Sequence, residues 1–169
     1  MKQVQIVTDS TADLPEKLVH DYSIAVVPLK VNFDGKVTYR DGVDISTEQF
    51  YQRLVERRET ATTSQPTPGE FVSVYTSLSA KSIISIHLSS LMSGTCQSAQ
   101  IAGEMVPGAD IEVVDSESVS MGLGLIVLEA ARAAAEGRTK GEILKIISDL
   151  KARMQVYFIV DSLEYLARG

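Results

Sequence analysis

Residues 82–106 read Ser-Ile-Ile-Ser-Ile-His-Leu-Ser-Ser-Leu-Met-Ser-Gly-Thr-Cys-Gln-Ser-Ala-Gln-Ile-Ala-Gly-Glu-Met-Val, and their pattern changes partway along. The β-branched run at 82–88 has the length and composition of a strand, whereas 94–106 has the character of a helix. A strand, a short hydroxyl-rich loop and a helix in that order form half of a βαβ unit. The same alternation recurs through the chain. Strands are expected at 4–8, 24–33, 82–88, 111–115 and 156–160, and helices at 15–22, 47–58, 68–78, 94–106, 120–136 and 140–153. The fold class is therefore α/β, a largely parallel β-sheet flanked by helices. Asp34-Gly35, set between two apolar segments, is a hairpin signal and adds an antiparallel hairpin near residues 24–40. Thr139 with Glu142, and Ser46 with Gln49, have capping-box spacing at the starts of two helices.

Composition narrows the function classes. The 169 residues are 44% hydrophobic, enough for one α/β domain with a real core. With 22 acidic against 16 basic residues the net charge is −6, which argues against a nucleic-acid partner. The start of the chain runs straight into a strand with no signal-peptide pattern. The longest apolar stretch, near residues 122–135, is interrupted by Glu129 and Arg132 and is too short to be a transmembrane segment. A single cysteine, Cys96, cannot form an internal disulfide, and a cytoplasmic location is expected.

Three predicted strands end in the same two residues: Asp9-Ser10, Asp115-Ser116 and Asp161-Ser162. In an open parallel sheet those ends share one edge, where ligands sit. Each pair also suits a cap for the element that follows. Nucleophilic catalysis needs a base in reach, and the chain has two histidines. His20 falls on a short helix, and His87 lies inside a strand, where bonding to neighbours is the ordinary outcome. Ser93 lacks the preceding glycine of a nucleophile elbow. Cys96 sits in a first helical turn, where the dipole lowers a thiol pKa, but no second thiol supports redox work, and it reads as a packing residue. No phosphate loop occurs, and Gly122 and Gly124 read as steric, leaving room for a ligand tail or a close neighbour. No metal is expected. What remains is a set of neutral hydroxyls at strand ends and helix starts, the chemistry of an anion site. The segment 61–68, Ala-Thr-Thr-Ser-Gln-Pro-Thr-Pro, is either part of that site or a Pro-rich linker with a helix cap.

Four segments together resemble the DegV family of bacterial fatty-acid-binding proteins. They are Val7-Thr-Asp-Ser-Thr-Ala-Asp-Leu-Pro15, Thr62-Thr-Ser-Gln-Pro66, Leu88-Ser-Ser-Leu-Met-Ser-Gly-Thr-Cys-Gln97 and Asp115-Ser-Glu-Ser-Val-Ser-Met-Gly-Leu-Gly124. The resemblance implies a DegV-like N-terminal α/β domain over 1–160. It implies that 161–169 is a junction, followed in the family by a second domain, so this chain is expected to hold half a site. It also implies a lipid-binding protein, not an enzyme, that holds a long-chain fatty acid on Ser/Thr hydroxyls and helix N-terminal amides. Thr63 and Ser93 would be the carboxylate ligands, with Ser64, Gly94, Thr95, Ser10 and Ser118 supporting. No cofactor is implied besides the bound fatty acid. The partners implied are a fatty acid kinase catalytic subunit, which forms an acyl phosphate for phospholipid synthesis, and a membrane-associated acyltransferase. An enzyme acting on an acyl ester or acyl phosphate, with Ser93 or Cys96 as nucleophile, is the alternative.

Overall fold

The computed structural model describes residues 2–35, 37–57, 59–160 and 163. Four parallel strands form the main sheet: β1 (Lys2–Asp9), β2 (Ala25–Val27), β6 (Ala80–His87) and β7 (Asp110–Asp115), in the order β2-β1-β6-β7. A second, antiparallel sheet has the order β4-β3-β5, with β3 at Lys30–Phe33, β4 at Val37–Arg40 and β5 at Ala61–Ser64. The helices are α1 (Glu16–Asp21), α2 (Thr47–Tyr51), α3 (Pro68–Ser77), α4 (Thr95–Glu104), α5 (Met121–Ala135) and α6 (Lys140–Arg153). A π-helical turn, Gln52–Glu56, continues α2.

The main sheet is covered on both faces, which is why its central strand reads as Ile-Ile-Ser-Ile without polar alternation. Val4, Ile6, Ile84 and Ile86 face α5 and α6, meeting Leu123, Ile126, Val127, Ile143 and Ile147. Val7, Val27 and Ile83 face α3 and α4, against Phe71, Tyr75, Ala99 and Ala102. Val31, Phe33 and Ile45 form the separate core of the antiparallel sheet, where the Arg53 guanidinium lies 4.0 Å from the centre of the Phe33 ring.

Three expectations change. The run 24–33 is not one strand: Pro28 has no amide to extend a ladder, and the chain leaves the parallel sheet after Val27 to enter the antiparallel one at Lys30. The hairpin follows as expected, with left-handed backbone at Asp34 (φ 51°) and Gly35 (φ 65°). The first half of 61–68 is a strand, β5, paired with β3 in register Val31 to Thr63. The run 156–160 forms no strand. Its β-branched and aromatic residues favour a sheet only where a ladder partner is offered, and Ile159 instead stands 97% exposed. Asp161-Ser162, the third Asp-Ser pair, lies outside the described residues.

The capping boxes at Ser46 and Thr139 form, and a third forms at Thr67 with Glu70. Gly122 and Gly124 serve close neighbours. A Cβ on Gly124 would collide with the carbonyl oxygen of Ala12, and one on Gly122 with the Ser118 hydroxyl. Gly124→Ala is therefore expected to destabilise the fold by about 1–3 kcal/mol, because the obstacle is backbone that cannot swing aside. An unchanged urea midpoint would contradict this close approach of α5.

Candidate carboxylate site

Strand ends and helix starts converge at the carboxyl edge of the main sheet. The loop leaving β6 is fixed amide by amide. Leu88 N–H donates to Asp9 Oδ2 at 3.1 Å, Ser89 N–H to the Ser118 carbonyl at 2.8 Å, and Ser90 N–H to the Asp115 carboxylate at 3.2 Å. Leu91 donates to the Ser89 hydroxyl, and Met92 and Ser93 to the Ser89 carbonyl. Ser93 is thus presented by a loop with no free amide between Leu88 and Ser93, and it needs little ordering on binding.

At the start of α4 the Ser93 hydroxyl lies 2.9 Å from the Thr95 hydroxyl and accepts from the Thr95 amide at 3.3 Å. Thr95 is buried, and Gly94 stands at the N-cap without a capping side chain. Helices α2, α3 and α6 all begin with capping boxes, whereas α4 and α5, which follow β6 and β7 at this edge, do not. The first-turn amides of α4 beyond Thr95 consequently have no side-chain acceptor, and they carry the positive end of the helix dipole. A cleft of about 390 Å³ opens here, lined by Ser90, Ser93, Gly94, Cys96, Gln97, Gln100 and Asp115. No cationic side chain is among them, and the oxygens of the one carboxylate, Asp115, accept from the Ser90 and Glu117 amides.

Gln65 joins the second sheet to this corner. Its side-chain amide covers the α-carbon of Gly94 so closely that a Cβ there would overlap it, and Gln65 Nε2 donates to Ser98 Oγ at 3.2 Å. Thr63, two residues earlier on β5, is exposed, as is Ser64, whose hydroxyl accepts from Asn32 Nδ2 at 3.4 Å. Neither lines the cleft itself. Gln65 brings their segment against Gly94, beside Ser93. Gln65 belongs to the Thr62–Pro66 motif, but nothing in the local sequence signals its contact with Gly94, 29 positions on.

Ser10 and Ser118 stand elsewhere. The Ser10 hydroxyl accepts from the Leu29 amide at 3.1 Å and lines a larger groove of about 860 Å³ beside α1 and β2. Ser118 supports the Ser93 loop through its carbonyl, while its buried hydroxyl has no hydrogen-bond partner. Both Asp-Ser pairs that are described act as caps: Asp9 accepts from Thr11, and Asp115 from Glu117 and Ser90. Burial opposes ionisation of Asp115, yet bonds from Ser90 and Glu117 and the nearby Lys151 hold its carboxyl below the ordinary range. Lys151, missed in the sequence because it lies on α6 far along the chain, donates to the Asp115 carbonyl and to Glu117.

The histidines behave as expected, with one addition. His20 is exposed. His87 is fully buried, its Nε2 2.7 Å from Ser85 Oγ and its Nδ1 3.0 Å from Asp9 Oδ2, so neither ring nitrogen is free to serve Ser93. Tyr75 donates to Ser85 at 2.9 Å. This buried Tyr75–Ser85–His87–Asp9 chain was legible only in part, as the i, i+2 spacing of Ser85 and His87 on one strand face. Cys96 runs against the expected lowering by the dipole: burial, then the charges of Asp115 and Asp9, push its thiol up to about 11. On the order of one molecule in a thousand is thiolate at pH 8, so disulfide-exchange reagents should label Cys96 only on unfolding. Fast labelling of the native protein would contradict its buried environment.

Among the described residues no cluster of three or more His, Cys, Asp or Glu side chains is placed to hold a metal, and no helix is long and apolar enough to cross a membrane.

A family model for an uncharacterised protein of the DegV family matches residues 3–169. A DegV domain-containing protein of Caldanaerobacter subterraneus is 46% identical over 171 aligned positions, covering 100% of this chain and 60% of that protein. Among solved structures, the fatty-acid-binding DegV family protein of Thermus thermophilus superposes with a TM-score of 0.90 at 38% identity, covering 100% of this chain and 60% of its own. DegV of Bacillus subtilis, a fatty acid binding protein, gives 0.93 at 37%, covering 100% and 61%. A stearic acid-binding protein of Eubacterium ventriosum gives 0.87 at 30%, covering 99% and 59%. This chain spans about 60% of the length of the relatives it matches. The chain belongs to the DegV family.

Proposed function

We propose that this chain is the carboxylate-binding half of a fatty-acid carrier, with Ser93 and Thr63 as the direct ligands of the head group. Gly94, Thr95 and Ser64 border that position. Ser118 supports it through the Ser93 loop, and Ser10 supports it from the turn after β1. The observation that carries this reading is the seat of Gln65 on Gly94. It sets the Thr63 segment against an uncapped helix start whose cleft has no cationic lining residue. Hydroxyls and amides can hold a carboxylate without fully neutralising it, which suits a head group that must react later. Leu91 and Met92, 94% and 64% exposed, and Met121 and Leu125 on the adjoining start of α5 offer uncovered apolar surface for the tail.

The tail supplies most of the affinity in this account. At about 0.8 kcal/mol per buried methylene, a chain of about fourteen contributes roughly 11 kcal/mol before ordering costs. A hydrogen bond to the charged head adds about 1.5–3 kcal/mol and mainly fixes orientation. The held carboxylate would then be presented to a fatty acid kinase subunit for acyl-phosphate formation, with a membrane-associated acyltransferase downstream. Equilibrium titration of the protein, as its host produces it, tests the carrier reading. A long-chain fatty acid should bind more tightly than the alcohol of equal length. Equal binding of the two, or none, would remove the head-group site.

A further inference from the structure

The main sheet grows in two directions from β1: β2 is added on one side, and β6 then β7 on the other. In open α/β sheets the crevice outside the carboxyl ends of the strands opens at such a point. Here a single buried carboxylate occupies it. Asp9, at the end of β1, is 0% exposed. Its Oδ2 accepts from His87 Nδ1 at 3.0 Å and from the Leu88 amide at 3.1 Å, while Oδ1 accepts from the Thr11 amide at 3.0 Å and from the Thr11 hydroxyl.

These two sets of bonds point to the two halves of the candidate site. The Oδ2 pair sets where the Ser93 loop leaves β6. The Oδ1 pair sets the Ser10–Ala12 turn, where Ser10 Oγ accepts from the Leu29 amide at 3.1 Å. Leu29 runs straight into β3, whose Val31 is paired with Thr63 on β5. Asp9 therefore connects the loop bearing Ser93 to the sheet bearing Thr63 by a route separate from the Gln65 contact. The His87 ring is itself fixed, by Ser85 on one nitrogen and by an edge-on contact with Phe71, ring centres 5.0 Å apart. A buried charge adds little net stability compared with well-packed apolar side chains, and a defined geometry is what it can supply instead.

We propose that Asp9 is a positioning residue for the carboxylate site, holding Ser93 and Thr63 at the separation that one head group spans. The inference rests on the carrier reading above. Asp9→Asn keeps the size of the side chain but turns an –NH2 toward donors. It should weaken binding of a long-chain fatty acid about tenfold while changing binding of its methyl ester less than about twofold. Added to Thr63→Ala with Ser93→Ala, it should cause no further loss specific to the acid. Should Asp9→Asn fail to fold, Ser10→Ala, which cuts only the link to Leu29, is expected to give the same acid-selective loss at smaller size. Equal losses for acid and ester, or no loss for either, would overturn the positioning role and leave the carrier reading in place. A wild-type protein that binds neither ligand would overturn the carrier reading and this inference with it.

Discussion

Asp9→Ala is expected to lower stability at pH 7 by about 3–5 kcal/mol. It leaves the His87 ring N–H and the Leu88 and Thr11 amides without their acceptor, each costing about 1–3 kcal/mol when buried. The effect depends on pH. Burial opposes ionisation of Asp9, but hydrogen bonds from His87, Thr11 and Leu88 outweigh it and hold the carboxyl below its ordinary value of 3.8. A carboxyl lowered in the folded state contributes stability above its unfolded pKa and loses it as pH falls through the folded one. The gap in urea midpoint between wild type and Asp9→Ala should therefore be full above about pH 5 and narrow on acidification below about pH 4. A gap that is constant with pH would show that the carboxylate's charge is not what the network uses.

The second large effect is expected from Ser93→Ala combined with Thr63→Ala. Loss of two hydroxyl contacts to an anionic head should weaken fatty-acid binding by about 100-fold or more, since each is worth about 1.5 kcal/mol or more. The fold should survive, because Thr63 is exposed and, among the described residues, the Ser93 hydroxyl bonds only to Thr95. Binding isotherms beside thermal melts separate the two quantities. Intact binding by a folded double variant would place the head group elsewhere.

The sequence carries the parallel sheet openly, because Val4, Ile6, Ile83, Ile84 and Ile86 form β-branched runs between amphipathic helices. It hides the point where the chain changes sheets, since Pro28-Leu29 interrupts what otherwise reads as one apolar strand. It also hides β5, whose Ala-Thr-Thr-Ser composition has the look of a turn and becomes a strand only because β3 offers it an edge. The run 156–160 fails in the opposite sense, with strand composition but no ladder. At the site, Ser93, Gly94 and Thr95 were visible because they are consecutive at a helix start. Gln65 and Lys151 were not, and Asp9 showed only as a strand-end residue, because their contacts span 33, 36 and 79 positions of sequence and exist only once the strands are aligned.

The most direct measurement of the central claim is the identity of what the protein carries. Gentle purification from its host, solvent extraction and mass spectrometry should recover long-chain fatty acid from wild type, and little from the Ser93→Ala, Thr63→Ala double variant. Recovery of no fatty acid from the wild-type protein, or of equal amounts from both, would contradict a carrier that holds its ligand by these two hydroxyls.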